Sequence, residues 1–203
     1  MSMVKSKLLT TYTPLEISKD SLNEAKRNSE GKIVLKGIMQ RADAVNQNGR
    51  IYPRHILERE VENYQRIIND NRALGELDHP TESTISLDRV SHIVKEMHWV
   101  GNDLCGTIEL LNTPKGKIAQ ALIEDGVKLG ISSRGVGSVY KDGDYSVVGE
   151  DFLLICLDLV QEPSTTSAFM LAEGLDIDFD REKHLNSTDK VHRLLSSALN
   201  RLK

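Results

Sequence analysis

A chain of 203 residues is long enough for one domain with a sizeable core and some polar tail. Lys and Arg number 26 against 30 Asp and Glu, for a net charge of −4, and aromatic residues are only 4%, so bulk positive charge is lacking and few stacking platforms for nucleic acid are present. Two cysteines, Cys105 and Cys156, make no disulfide framework and sit in no CxxC or Cys/His cluster that would suit zinc, and no 18-residue apolar run exists to span a membrane.

Residues 1–31 read as polar and partly extended, with Pro14 and the run Lys26-Arg27-Asn28-Ser29-Glu30-Gly31 as punctuation. The first thirteen residues lack the apolar stretch of a signal peptide, which points to a cytoplasmic protein. A strand is expected over 32–39 and a turn at Asn46-Gln47-Asn48-Gly49-Arg50, because Asn-Gly tolerates positive φ. Ile56, Leu57, Val61, Tyr64, Ile67 and Ile68 recur at nearly helical spacing and predict an amphipathic helix over 54–70.

A short strand follows at 73–79, ending at Pro80, and two more run from Val90 to Trp99 and from Leu104 to Leu111 around Gly101-Asn102-Asp103. Thr113-Pro114 opens a helix that Asp125-Gly126 closes. Strands are expected at Leu129–Val139, Tyr145–Val148 and Phe152–Val160. Residues 174–190 read as an acidic linker, and 189–203 carry a Leu/Val stripe expected to form a docking helix.

Three places could carry chemistry. His79 ends Gly-Glu-Leu-Asp-His-Pro, and an imidazole near its ordinary pKa suits a general base; a satisfied surface histidine is the plainer alternative. Gly130-Ile131-Ser132-Ser133-Arg134-Gly135-Val136-Gly137-Ser138 combines glycines, two serines and an arginine between apolar flanks. Glycines in a strand mark close approach of another backbone or of a ligand, so the segment is either a serine site or a bulged edge strand. Alternation puts Ile131 and Ser133 on one face and Ser132 and Arg134 on the other; with Ile131 in the core, Ser132 faces a cleft. Asp158 is the one charge in an apolar run, so it needs a specific partner, either the second nitrogen of His79 or Arg134.

Taken together, the chain resembles the prohead, or procapsid maturation, proteases of myophage-type tailed bacteriophages. The resemblance covers about 32–170 and rests on four ordered blocks: Asn48-Gly49-Arg50-Ile51-Tyr52-Pro53, Gly75-Glu76-Leu77-Asp78-His79-Pro80, Gly130-Ile131-Ser132-Ser133-Arg134-Gly135, and Asp158-Leu159-Val160 with Pro163-Ser164. It implies an α+β fold similar to herpesvirus assemblin, a mainly antiparallel β-barrel core surrounded by a few helices. It implies a serine endopeptidase with His79 as base and Ser132 as nucleophile, Ser133 being the neighbouring candidate. Assemblins use a second histidine; here Asp158 takes roughly that place, with Asp78 the runner-up. No metal or cofactor is implied, and a metal hydrolase built on His79, Asp78 and His92 matches no HExxH spacing.

The family works in the host cytoplasm inside the immature capsid, cutting scaffold and head proteins and then itself, after Glu in (Leu/Ile)-x-Glu-(small) sequences. Leu22-Asn23-Glu24-Ala25 and Leu171-Ala172-Glu173-Gly174 fit that pattern on either side of the core. The organisation expected is therefore a removable segment 1–31, a protease domain 32–170 and a removable tail 171–203. No nucleic acid or membrane partner is expected, and self-association is left open. The rival is a non-enzymatic capsid or scaffold component that shares the barrel.

Overall fold

The computed structural model describes residues 7–9, 32–80, 82–162, 165 and 170–172. The expected linker at 174–190, the helix at 189–203, and the cleavage positions after Glu24 and Glu173 lie outside the described residues.

The architecture is mixed α+β, mostly strands with two helices. The elements in chain order are β1 (Lys7–Leu9), β2 (Val34–Arg41), β3 (Arg50–Ile51), α1 (Arg54–Asn69), β4 (Leu74–Glu76), β5 (Val90–Val100) and β6 (Asp103–Leu110), then α2 (Pro114–Glu124), β7 (Gly130–Gly137), β8 (Val139–Asp142), β9 (Tyr145–Val148), β10 (Leu153–Val160) and β11 (Leu171–Ala172).

Local chemistry explains most of these boundaries. Asn46 Oδ1 accepts the backbone N–H groups of Asn48 and Arg50, and Gly49 adopts φ 66°, so the chain reverses into β3. In α1 the buried residues Ile56, Leu57, Glu60, Tyr64 and Ile68 form one stripe against the sheet. Thr113 Oγ1 accepts the Gly116 N–H at 3.0 Å and caps α2, with Pro114 at its first position.

The strands form three sheets. Five are ordered β11-β2-β6-β5-β4, three β1-β7-β10, and three β3-β9-β8. None of them closes on itself, so the expected closed barrel is not what the described strands build. The five-stranded sheet meets the β7 sheet where Leu77 bridges Leu159 in parallel and the Asp78 N–H bonds the Leu159 carbonyl at 2.8 Å. The sheets therefore abut at the end of β4. Met39, Leu104, Ile108, Ile131, Leu157 and Leu159 lie in the core between the sheets. Among the described residues, no helix is long and apolar enough to cross a membrane.

One expected strand is two. The run Leu129–Val139 breaks at Ser138, whose N–H and hydroxyl both bond the Asp151 carboxylate. The chain then starts the β8–β9 hairpin. The glycines of β7 also have a structural cause. A Cβ on Gly135 would lie 2.5 Å from the Phe152 ring, and one on Gly137 would lie 2.9 Å from the Phe152 Cα. The close approach that the glycines signal is to β10 and the turn before it.

Candidate active site

The site begins with a register. β7 and β10 pair antiparallel with Ser132 directly opposite Asp158 and Arg134 opposite Cys156. Directly opposed residues project on the same face, so these four side chains form one polar patch where the other face is apolar core. Ile131 and Ser133 point the other way: Ile131 is fully buried in the core, and the Ser133 hydroxyl donates to Gln40 Oε1 at 3.3 Å.

His79 enters this patch from the segment after β4. The backbone at Asp78 is left-handed (φ 67°), a conformation Asp tolerates better than most residues, and it immediately precedes the histidine. His79 then spans the cross-strand pair. Its Nε2 lies 2.7 Å from Ser132 Oγ and its Nδ1 lies 3.0 Å from Asp158 Oδ2. An ionised carboxylate can only accept, so Nδ1 carries the proton and Nε2 is left to accept from the serine hydroxyl.

Asp158 is held from several sides. Its Oδ1 accepts the Glu76 N–H at 3.0 Å, the Cys156 thiol at 3.2 Å and Arg134 Nη2 at 3.2 Å, and Arg134 Nε sits 2.9 Å from Oδ2. Burial pushes the Asp158 carboxyl up, but the His79 hydrogen bond, the Arg134 charge and the Glu76 amide outweigh it, and the net shift is down. Asp158 is thus an anion at neutral pH. For Arg134, burial acts against the charge and the carboxylate partners, Asp158 foremost, outweigh it, so its pKa is raised. Burial and the neighbouring Asp158 charge push the Cys156 thiol up, which keeps it a protonated donor.

Arg134 also ties the patch to the loop that follows His79. Its Nη2 donates to Glu76 Oε2 at 2.6 Å and its Nη1 to the Glu82 carbonyl at 2.8 Å. Glu76, itself fully buried, accepts the Ser86 N–H with its other oxygen. Behind β10, His92 is buried between Ser91 Oγ and the Leu157 carbonyl, each 2.9 Å away. Burial pulls its pKa down to about 4, so it is neutral and structural.

The structure therefore brings His79, Ser132 and Asp158 into one hydrogen-bonded chain, and the two partners considered for Asp158, His79 and Arg134, are both in contact with it. It leaves Ser133 on the opposite face and Asp78 exposed. Among the described residues, no group of three or more His, Cys, Asp or Glu side chains could hold a metal ion, and the trio His79, Asp78 and His92 is not assembled. No role for Glu76, Gln40 or Cys156 follows from the sequence. The available signal for Glu76 was a carboxylate inside a short apolar strand, the same signal that singled out Asp158.

A sequence profile for prohead core protein serine proteases matches residues 7–176. The chain belongs to that family. It is 32% identical over 173 residues to the prohead core protein protease of Enterobacteria phage T4, covering 82% of this chain and 81% of the relative. It is also similar to the solved structure of the bacteriophage T4 capsid assembly protease, gp21, with a TM-score of 0.64 and 29% identity, over 78% of this chain and 99% of that one. As a member of the prohead protease family the chain is a peptidase of capsid maturation, and the family match takes in β7, β10 and the segment that carries His79.

Proposed function

We propose that this prohead protease is a serine endopeptidase in which Ser132 is the nucleophile, His79 the general base and Asp158 the group that orients the imidazole. The observation that carries the reading is the chain of short contacts from Ser132 Oγ through His79 to Asp158, 2.7 Å and 3.0 Å. Those distances place the base within hydrogen-bond reach of the proton it would take.

In this mechanism Ser132 Oγ attacks the peptide carbonyl while its proton passes to His79 Nε2. Asp158 stabilises the imidazolium without becoming protonated itself. Backbone N–H groups must hold the oxyanion, and each such donor is typically worth about 2.7–4 kcal/mol of barrier. Collapse of the tetrahedral adduct breaks the C–N bond, and the leaving amine takes the proton from His79. Water, activated by the same imidazole, then releases the acyl group from Ser132.

The substrates in this reading are scaffold and capsid proteins inside the phage procapsid, cut after Glu in (Leu/Ile)-x-Glu-(small) sequences, as the family resemblance implies. The chain is made as a zymogen that trims itself after Glu24 and Glu173. Intact mass over time of the purified chain, beside Ser132→Ala, Ser133→Ala and His79→Ala, tests this. Loss of the tail after Glu173 is expected for the parent and Ser133→Ala only. Trimming that survives Ser132→Ala and stops with Ser133→Ala would move the nucleophile by one residue, and trimming in all three would remove the protease reading.

A further inference from the structure

Arg134 stands between two buried carboxylates and does not divide itself evenly. Its side chain and those of Glu76 and Asp158 are all fully buried. The strong grip of an arginine on a carboxylate is bidentate, two N–H groups on the two oxygens. Asp158 is not held that way. Arg134 Nη2 lies 3.2 Å from Asp158 Oδ1 but 2.6 Å from Glu76 Oε2, and Nη1 donates to the Glu82 carbonyl at 2.8 Å. Nε lies 2.9 Å from Asp158 Oδ2 yet makes no hydrogen bond. The guanidinium is turned toward Glu76, and its Nε–H is buried without an acceptor.

We propose that Glu76 is a positioning residue for the reaction: it draws the Arg134 guanidinium off Asp158, so that Oδ2 is left to accept from His79 Nδ1. The inference rests on the Ser132–His79–Asp158 reading. Its basis is competition for one oxygen. His79 Nδ1 at 3.0 Å and Arg134 Nε at 2.9 Å both face Asp158 Oδ2. A small rotation of the guanidinium would complete a fork on Oδ1 and Oδ2. That fork would take the acceptor from His79 and neutralise the charge that the imidazolium uses.

Glu76 is built to prevent the rotation. Its Oε1 accepts the Ser86 N–H, Arg89 Nε lies 3.6 Å from the same oxygen, and its own N–H donates to Asp158 Oδ1 at 3.0 Å. Asp158 and Arg134 alone could form a closed pair. A second buried anion beside them is costly, and packing does not require it.

The other titratable groups around Asp158 stay in one state near neutral pH. Burial pushes Cys156 of β10 and Tyr64 of α1 up, and His92 of β5 down to about 4. The acid limb of the kcat/KM profile therefore reads the general base, His79. With Glu76 neutral, Arg134 forks onto Asp158, the imidazolium is favoured less, and the base sheds its proton at lower pH.

The test compares the full chain with Glu76→Gln, which keeps the shape without the charge, and Glu76→Asp, which keeps the charge. Two readouts are taken across about pH 5–9: hydrolysis of a fluorogenic peptide containing Leu-Ala-Glu-Gly, and labelling of the serine by a fluorophosphonate. Glu76→Gln is expected to lower kcat about 10- to 100-fold with KM little changed, to slow labelling in parallel, and to move the acid limb about one unit lower. Glu76→Asp should keep the parental limb. Glu76→Gln/Arg134→Met, with no guanidinium left to swing, should return the limb to the parental position or above it.

A limb that stays in place in Glu76→Gln overturns the positioning role and leaves the serine protease reading standing. So does a limb lowered equally by Glu76→Asp, or one that adding Arg134→Met fails to restore. Turnover and labelling that persist in Ser132→Ala overturn both. Should Glu76→Gln not fold, or be too slow to profile, proton NMR of the parent decides, with His79→Ala for assignment. The His79 Nδ1–H should carry the downfield shift of a proton bonded to a carboxylate and the Arg134 Nε–H should not; the reverse overturns the proposal.

Discussion

Two of the buried carboxylates, Glu60 and Asp158, are held in nearly the same way, and only one of these two faces a histidine. Glu60, in α1, is 3% exposed; its oxygens accept the Leu154 N–H at 2.8 Å and Arg59 Nε at 2.9 Å, and Arg59 goes on to the carbonyls of Glu150 and Phe152. Asp158, in β10, is fully buried; its oxygens accept the Glu76 N–H and contact Arg134, and Arg134 goes on to the Glu82 carbonyl. Both knots satisfy a buried charge with an arginine and an amide from a neighbouring element. At Glu60 the knot ends in backbone and fastens the segment leading into β10. At Asp158 a further partner, His79, carries the charge on to Ser132. A buried, satisfied carboxylate is therefore an ordinary structural device, and the imidazole on its second oxygen is what separates the two.

The largest effect should break this symmetry in activity. Asp158→Asn should lower kcat by about 10⁴-fold, because the amide no longer holds the Nδ1–H tautomer. Glu60→Gln should leave peptide turnover unchanged and instead cost about 1–3 kcal/mol of stability, read by denaturant melts. Equal losses of turnover would erase the distinction. Next in size are the arginines. Arg134→Met removes the partner of two buried carboxylates, Asp158 and Glu76, and should cost about 3–5 kcal/mol. Arg59→Met, on a side chain 40% exposed, should cost less. A larger loss at Arg59 would mean that the α1 knot, and not the site, is the more strongly held part of the fold.

The two knots are not equally legible in the sequence, for physical reasons. Local signals were readable: the stripe Ile56-Leu57-Tyr64-Ile68 marks α1, Thr113-Pro114 marks the start of α2, and Gly101, at φ 58°, marks the β5–β6 turn. Alternation puts Ser132 and Ser133 on opposite faces, because period two is a property of any strand, but which face is the core depends on where Ile131 lies. What pairs with what was not readable. β3, β8 and β11 have two to four residues, and their existence depends on partners far along the chain. The Ser132–Asp158 register depends on the irregularity between Leu154 and Cys156, where Glu60 takes the Leu154 N–H, and no local pattern announces it. Glu76 stands in an apolar strand as Asp158 does, which marks it as needing a partner, but that the partner is Arg134, 58 residues away, is not legible locally. The β7 glycines drew notice as a site signal, but Phe152 accounts for Gly135 and Gly137 without chemistry.

Acid should sharpen the comparison further, through His92. Its folded pKa is depressed by burial to about 4, below the unfolded value of about 6.5, so the folded state keeps it neutral where the unfolded chain binds a proton. The stabilisation is full above pH 6.5 and is lost as pH falls from there to about 4, about 3 kcal/mol in all. His92→Gln should flatten that part of the stability–pH curve, whatever its effect at neutral pH. Asp158 acts lower down: its depressed pKa contributes stability above the ordinary carboxylate range that disappears as pH drops through the folded value. A slope between pH 6.5 and 4 that survives His92→Gln would assign it to another group.

The smallest effect is the most discriminating between adjacent atoms. Ser132 and Ser133 are chemically identical and one residue apart, yet the pleat sends one to His79 and the other to Gln40 on the opposite face. Ser133→Ala removes a hydroxyl donating at 3.3 Å to an amide oxygen that Thr165 Oγ1 also reaches at 3.2 Å, so the acceptor keeps a partner. The expected cost is about 0.5–1.5 kcal/mol of stability, with fluorophosphonate labelling and peptide turnover intact. Ser132→Ala should show the reverse, near-parental stability with no labelling. If Ser133→Ala instead abolished labelling, the face assignment along β7 would be inverted, and Ile131 could not occupy the core position from which that assignment follows.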